Sequence, residues 1–169
     1  MKNGYGVFIF AYGDRYEGNW VDDKRSGLGK IIYQDSNTYE GSFINDAPYG
    51  RGTMTYSNGD RYEGDWNNGV KKGKGIFHFY NGDVYEGSFD QDCFNGYGIY
   101  TFSNGDLYEG EFSEGLQHGR GVYTYAGTST YEGEWSYGRK KGTGILIAYG
   151  DHYEGEWNST KVGAGKYIW

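Results

Sequence analysis

The chain has 169 residues and a net charge of −7, with 23 Asp and Glu against 16 Lys and Arg. Only twenty-eight residues are Val, Ile, Leu or Phe, which together with the charge describes a disordered chain. Twenty tyrosines, 20% aromatic residues and 32 glycines against one proline (Pro48) contradict that, because rings bury apolar area and so much glycine is tolerable only in turns and close packing.

Several classes drop out. No apolar run approaches the roughly 18 residues of a spanning helix, and no signal-peptide pattern opens the chain. Glycine lacks the three-residue period of collagen. The single cysteine, Cys93, has no disulfide mate and no Cys or His at zinc spacing. We therefore expect no metal, no cofactor and a reducing, cytoplasmic setting. The acidic balance argues against nucleic acid and against broad adhesion to anionic lipid.

Taken in chain order, the elements begin with a half unit, Gly4 to Phe10, where a Gly-x-Gly pair opens a strand. A period then takes over. Tyr-Glu-Gly begins at Tyr16, Tyr39, Tyr62, Tyr85, Tyr108, Tyr131 and Tyr153, at intervals of 23 residues and a last interval of 22. Two residues past each glycine stands a large aromatic: Trp20, Phe43, Trp66, Phe89, Phe112, Trp135 and Trp157. Gly-x-Gly returns at Gly27, Gly50, Gly73, Gly96, Gly119 and Gly142, then early at Gly163, which opens a second half unit ending at Trp169. Of the 32 glycines only Gly127 falls outside the register; it lies where the sixth repeat lacks its usual glycine, so an altered turn is expected there. Residues 1–169 thus read as a single repeat array.

Each repeat reads as a β-hairpin. In Tyr62-Glu63-Gly64-Asp65-Trp66, strand alternation puts Tyr62, Gly64 and Trp66 on one face. In the following Gly-x-Gly strand the same parity groups Gly73, Gly75, Phe77 and Phe79, so both glycines are expected to clear space for rings. Asn58-Gly59, Asn81-Gly82 and Asn104-Gly105 predict short hairpin turns, since both residues tolerate positive φ, and the six residues from Asn67 to Lys72 predict the longer, more polar connection. No segment has helical periodicity. The expected fold is all-β: an elongated, twisted, single-layer antiparallel β-meander of tandem 23-residue hairpins with about fifteen strands.

Tyr-Glu-Gly-x-(Trp/Phe) followed by Gly-x-Gly at this period resembles the MORN repeat family across nearly the whole chain. That resemblance implies a single-layer antiparallel sheet and a scaffolding role in cytoskeletal or membrane-associated assemblies. A narrower likeness is carried by Tyr123-Thr124-Tyr125-Ala126, the short step to Tyr153, and Val162-Gly163-Ala164-Gly165-Lys166-Tyr167. These look like the end of the array in the ciliary radial spoke head protein 1 family. The likeness implies the cytoskeleton of a cilium or flagellum as location and other axonemal radial spoke proteins as partners.

Catalysis finds little support in the residues. His78, His118 and His152 occupy different repeat positions with no recurring carboxylate or nucleophile, and Gly-x-Gly here opens strands and lacks the Lys-Ser/Thr ending of a phosphate loop. The chain is expected not to be an enzyme. In the column Glu17, Glu40, Glu63, Glu86, Glu109, Glu132 and Glu154, neighbours should stand roughly 10 Å apart, about a Debye length. Each Glu is expected to accept hydrogen bonds from its hairpin loop; the alternative is a stripe that docks a basic partner. Lys71, Lys72 and Lys74, and Arg139, Lys140 and Lys141, form equivalent basic loops that could touch phosphoinositide headgroups, the basis of an alternative role as a peripheral membrane adaptor. The favoured working surface is the ring layer of Tyr16, Trp20, Tyr39, Phe43, Tyr62, Trp66, Tyr85, Phe89, Tyr108, Phe112, Tyr131, Trp135, Tyr153 and Trp157, partly repeat core and partly partner face. The apolar, uncapped half units at either end predict a covering protein, a homo- or heterodimer mate, or a longer chain.

Overall fold

The computed structural model describes residues 1–161 and 165–168. The strands are β1 (Gly4–Ile9), β2 (Arg15–Val21), β3 (Lys24–Ile32), β4 (Thr38–Ile44), β5 (Ala47–Thr55), β6 (Arg61–Asn67), β7 (Val70–His78), β8 (Val84–Asp90), β9 (Cys93–Thr101), β10 (Leu107–Ser113), β11 (Leu116–Tyr125), β12 (Ser129–Ser136), β13 (Arg139–Ala148) and β14 (Asp151–Asn158). Two short strands, β15 (Thr160–Lys161) and β16 (Lys166–Ile168), both pair with β14. The eighth Gly-x-Gly, at Gly163, and the terminal Trp169 lie outside the described residues. The described residues contain no helix.

The chain forms two compact units. One is Met1–Tyr80 with Phe89–Asp92; the other is Asn81–Ser88 with the described residues from Cys93 onward. Within each, strand order follows chain order in an open antiparallel meander: β1 to β7 in the first, β9 to β14 in the second. Register is set by glycine. Gly6, Gly18, Gly29, Gly41, Gly52, Gly64 and Gly75 pair in succession across the first unit. Gly98, Gly110, Gly121, Gly133, Gly144 and Gly155 do the same across the second.

Both turn expectations change places. Asn67 pairs with Val70, so the connection expected to be long is a two-residue turn with Asn68 at φ 53° and Gly69 at φ 84°. Asp22-Asp23, Asn45-Asp46, Gln91-Asp92, Glu114-Gly115 and Tyr137-Gly138 share its paired positive φ values, the turn conformation that matches the right-handed twist of paired strands. The Asn-Gly turns are instead three residues long. In Ser57-Asn58-Gly59 only Gly59 has positive φ (96°); its N–H donates to the Tyr56 carbonyl, and the Tyr56 N–H donates to the Asp60 carbonyl. The sixth such turn is altered, as expected, with positive φ at Gly127 and Thr128 N–H donating to Tyr125 O. The 22-residue step has a local cause: the next turn shrinks to two residues, Tyr149-Gly150.

The paired glycines of Gly-x-Gly do not share a face. Gly73 has φ 113°, and a Cβ there would meet Asp65 on the face opposite the rings. It belongs to a bulge: Gly64 pairs with Gly75 but Trp66 with Lys71, so β7 carries extra residues opposite Asp65. Only the second glycine, Gly75, lies beneath a ring.

Candidate functional site

Each hairpin builds its half of the ring layer in the same way. The ring of Tyr62 lies over Gly64 and Gly75, and its hydroxyl donates to the Asp65 carbonyl, which the bulge turns toward it, at 2.9 Å. Tyr16, Tyr39, Tyr85, Tyr108 and Tyr131 donate in the same way to the carbonyl three residues on, at 2.8–3.2 Å. Two aromatics stand edge-on to the rings of Tyr16, Tyr39, Tyr62, Tyr108 and Tyr131, one from the same hairpin and one from the next. Tyr39 meets Phe43 at 5.1 Å and Trp66 at 5.2 Å; Tyr108 meets Phe112 at 5.1 Å and Trp135 at 5.2 Å. Such edge contacts are worth about 0.5–1.5 kcal/mol each beyond burial. Trp66, Trp135 and Trp157 donate from Nε1 to the carbonyls of Gly52, Gly121 and Gly144.

The outer cover is a slot nine residues after Tyr16, Tyr62, Tyr85 and Tyr131. Arg25 places its guanidinium 5.4 Å from the Phe43 ring; Lys71 lies 5.2–5.6 Å from Tyr56, Tyr62 and Phe77; Lys140 lies 4.4 Å from Tyr131 and 5.0 Å from Trp157. Phe94 fills the same slot by stacking on Tyr85 at 3.8 Å. A single-layer sheet thus makes a closed core from its own long side chains.

All fourteen ring-layer residues named from the sequence are consequently interior, at 0–7% exposure. They serve as core, and the rings that reach solvent on this face are their neighbours on the Gly-x-Gly strands, such as Phe77, Tyr100, Phe102, Tyr123 and Tyr125. The basic loops also divide. Lys71 is buried, and its ammonium donates to the Tyr56 hydroxyl at 2.9 Å; Lys140 folds over rings. Neither faces outward as an anion-binding loop requires, because a long apolar stem gains more by covering rings. Lys72 pairs with Asp90 at 3.0 Å, while Lys74, Arg139 and Lys141 are exposed.

The other face carries the Glu column, and it too differs from expectation. Glu17 accepts from Arg15 and the Tyr5 hydroxyl at 2.7 and 2.8 Å, Glu40 pairs with Lys30 at 3.3 Å, and Glu109 accepts from the Tyr97 hydroxyl at 2.7 Å. Their partners are strand neighbours, not loop amides. Arg15 first, then the Tyr5 hydroxyl, hold the Glu17 carboxyl below its usual range. The loop amides are taken by a ladder that sequence reading missed. Asp14, Asn37, Asp60, Asp83 and Asp106 accept from the backbone N–H of Gln34, Ser57, Tyr80, Ser103 and Ala126, at 2.8–2.9 Å. Each joins a three-residue turn to the next, and the signal available was the recurring Asp or Asn two residues before the repeat Tyr.

The three histidines stand on separate strands: His78 is 4.0 Å from Glu63, His118 lies against the Tyr137 ring, and His152 is on β14. Among the described residues no group of His, Cys, Asp and Glu is arranged to hold a metal ion.

No curated protein matches the chain. Among solved structures it is similar to the TCP domain of SAS-4 (dCPAP) of Drosophila melanogaster in complex with a proline-rich motif of Ana2 (dSTIL). The TM-score is 0.52 at 14% identity, over 85% of this chain and 77% of that one. It also matches the G-box domain of the microcephaly protein CPAP (TM-score 0.39, 13% identity, 98% and 99% covered). A third match is the TCP10 domain of Danio rerio CPAP in complex with a STIL peptide (TM-score 0.30, 14% identity, 92% and 81% covered). At these identities the first likeness shows a shared sheet construction. The MORN repeat profile matches residues 1–15, 16–38, 39–61, 62–84, 85–107, 108–130, 131–148 and 153–169. With strand pairing, ring layer and turns all following that 23-residue unit, the chain belongs to the MORN repeat family.

Proposed function

We propose that the chain is a non-enzymatic scaffold and protein-interaction module of a cytoskeletal assembly, and that the assembly is the radial spoke head of a ciliary or flagellar axoneme. The observation that carries the scaffold reading is the self-covered core. Neighbouring repeats close the ring layer together with side chains of the array itself, which frees the opposite face and the outer rings to serve partners. The SAS-4 TCP domain, whose sheet is built alike, is seen with a proline-rich motif of Ana2, which supports a sheet of this kind as a peptide-binding platform. The radial spoke assignment rests on Tyr123-Thr124-Tyr125-Ala126, the short step to Tyr153 and Val162-Gly163-Ala164-Gly165-Lys166-Tyr167 alone.

Fractionation tests it. A tagged copy expressed in ciliated cells should stay with detergent-extracted axonemes and recover spoke components by proximity labelling; a diffusely soluble copy overturns the ciliary assignment. Against the membrane alternative, Lys71 is buried and Lys140 is half-buried over the rings of Tyr131 and Trp157. Vesicles containing phosphoinositide should leave the chain in the supernatant at low salt, and co-sedimentation that Lys72→Glu and Lys141→Glu abolish would reinstate that alternative.

A further inference from the structure

Four partly exposed rings in the second unit form a continuous ledge. Tyr100 and Phe102 lie 4.5 Å apart, Phe102 and Tyr123 5.6 Å, and Tyr123 and Tyr125 4.5 Å, with ring planes tilted 41–46° to one another. Tyr100 on β9 and Tyr123 on β11 flank Tyr108 from either side. Equivalent ring pairs are therefore two strands, about 9.6 Å, apart across the sheet. The ledge stops at β13, where Leu146 and Ala148 take the equivalent positions.

We propose that this ledge docks a proline-rich, basic, extended segment of a partner protein, laid across the strands. The proposal rests on the reading of the chain as an interaction scaffold and names the chemistry of one partner. Spacing selects the backbone: a polyproline II helix advances about 9.3 Å per three-residue turn, so prolines at i and i+3 fall on successive ring pairs. An α-helical turn of about 5.4 Å does not match that step. Charge selects the flanking residues. Asp83 and Asp106 sit on the ledge, accepting the Tyr100 and Tyr123 hydroxyls at 2.8 and 2.7 Å. The second unit holds eleven Asp and Glu against six Lys and Arg, and among the described residues no Lys or Arg pairs with either carboxylate. Arginines between the prolines would meet this field.

The test is fluorescence anisotropy of the full chain with two labelled peptides of identical composition. One has four Pro-Ala-Arg triplets, and the other has its prolines gathered at one end. The spaced peptide should bind about tenfold more tightly, and Phe102→Ala and Tyr125→Ala should each weaken it about fivefold or more, while Tyr97→Ala on the other face leaves it unchanged. Because ring truncation can unfold a repeat, a photo-crosslinker on the spaced peptide provides a second readout with the unmodified chain and should label residues between 100 and 125. Equal affinity for the two peptides, crosslinks confined elsewhere, or tighter binding of a helical peptide of the same charge overturns the proposal. A chain that remains on axonemes yet ignores the spaced peptide refutes the ledge and leaves the scaffold reading standing.

Discussion

Tyr16, Tyr39, Tyr62, Tyr85, Tyr108 and Tyr131 each need three things at once: a glycine beneath the ring, a second glycine on the paired strand, and a carbonyl three residues on. Gly98 shows how tight this is, since a Cβ there would stand 2.6 Å from Oη and Cε2 of Tyr85. Neither ring nor sheet can yield, because Gly110 faces Gly98 across β10 and the ring is wedged against Phe94 and Phe112. Gly98→Ala should destabilise the chain by about 3 kcal/mol in urea unfolding. Gly115→Ala, at φ 83° in a turn with open space around it, should cost only about 1 kcal/mol. Similar values for the two would remove the ring-on-glycine packing as the source of specificity. Lys71 offers a contrast of its own. Its 9% exposure and its contact with three rings predict that Lys71→Ala costs about 1–2 kcal/mol, whereas Lys72→Ala, at a solvated pair, stays within about 0.5 kcal/mol.

A hairpin alone is marginal in water, so the stitches between hairpins matter as much as the hairpins. On one edge the two-residue turns are linked by backbone: Asp46 N–H donates to Arg25 O, Gly69 to Pro48 O, Gly115 to Phe94 O and Gly138 to Gln117 O. An Asp in this turn adds an acceptor, as Asp46 does for Arg25 N–H and Asp92 for Lys71 N–H. Gly69 suffices opposite Pro48, which has no N–H to give. On the other edge the Asp ladder does the same work. The Ala126 amide, then the Tyr123 hydroxyl and the Asn104 amide, hold the Asp106 carboxyl below its usual range. A carboxylate whose folded value is depressed contributes stability above the unfolded value, and that contribution disappears as pH falls through the folded one. Melting midpoints should therefore fall on acidification below about pH 4, and Asp106→Ala should flatten that dependence. An unchanged acid profile in the variant would mean the ladder contributes nothing.

The period made the glycine beneath each ring, the tyrosine and its edge-on partner legible in the sequence, because each recurs with fixed parity. The turns were not legible. Gly59 and Gly69 look alike in sequence, yet one closes a three-residue turn and the other a two-residue turn; the bulge at Gly73, invisible to strand alternation, shifts the pairing of β6 with β7 just after the second. The slot residues were hidden for a different reason. Arg25 and Lys140 cover rings as cations and Phe94 by stacking, so the slot shares a length and a ring to cover rather than one residue type. Of the candidate surface, ring positions could be read but not their burial, which depends on that cover.

Across the whole molecule, charge is spread unevenly. The first unit has twelve Asp and Glu against ten Lys and Arg, and its column residues Glu17, Glu40 and Glu63 each have a cationic partner. The second unit has eleven against six. Self-repulsion should therefore weigh on the second unit and be relieved by salt. Raising NaCl from about 0.05 to 0.5 M should slow hydrogen exchange in β10–β14 more than in β2–β6; an equal response in both would contradict this.

The closed ring layer has a direct spectroscopic consequence. Burial raises Tyr39, Tyr62, Tyr85 and Tyr108 far above the ordinary phenol value, and pushes Tyr131 up to about 12. A phenol raised in the folded state stabilises the fold fully below about pH 10 and loses that contribution as pH climbs toward its folded value, so alkaline unfolding should accompany its ionisation. An alkaline absorbance titration of the twenty tyrosines measures this. Two waves are expected: exposed phenols near pH 10, then a buried class that stays protonated to about pH 12 and ionises only with loss of the β-sheet signal in circular dichroism. A single wave near pH 10, with the sheet intact, would show that the rings are open to solvent and that the layer is not a core.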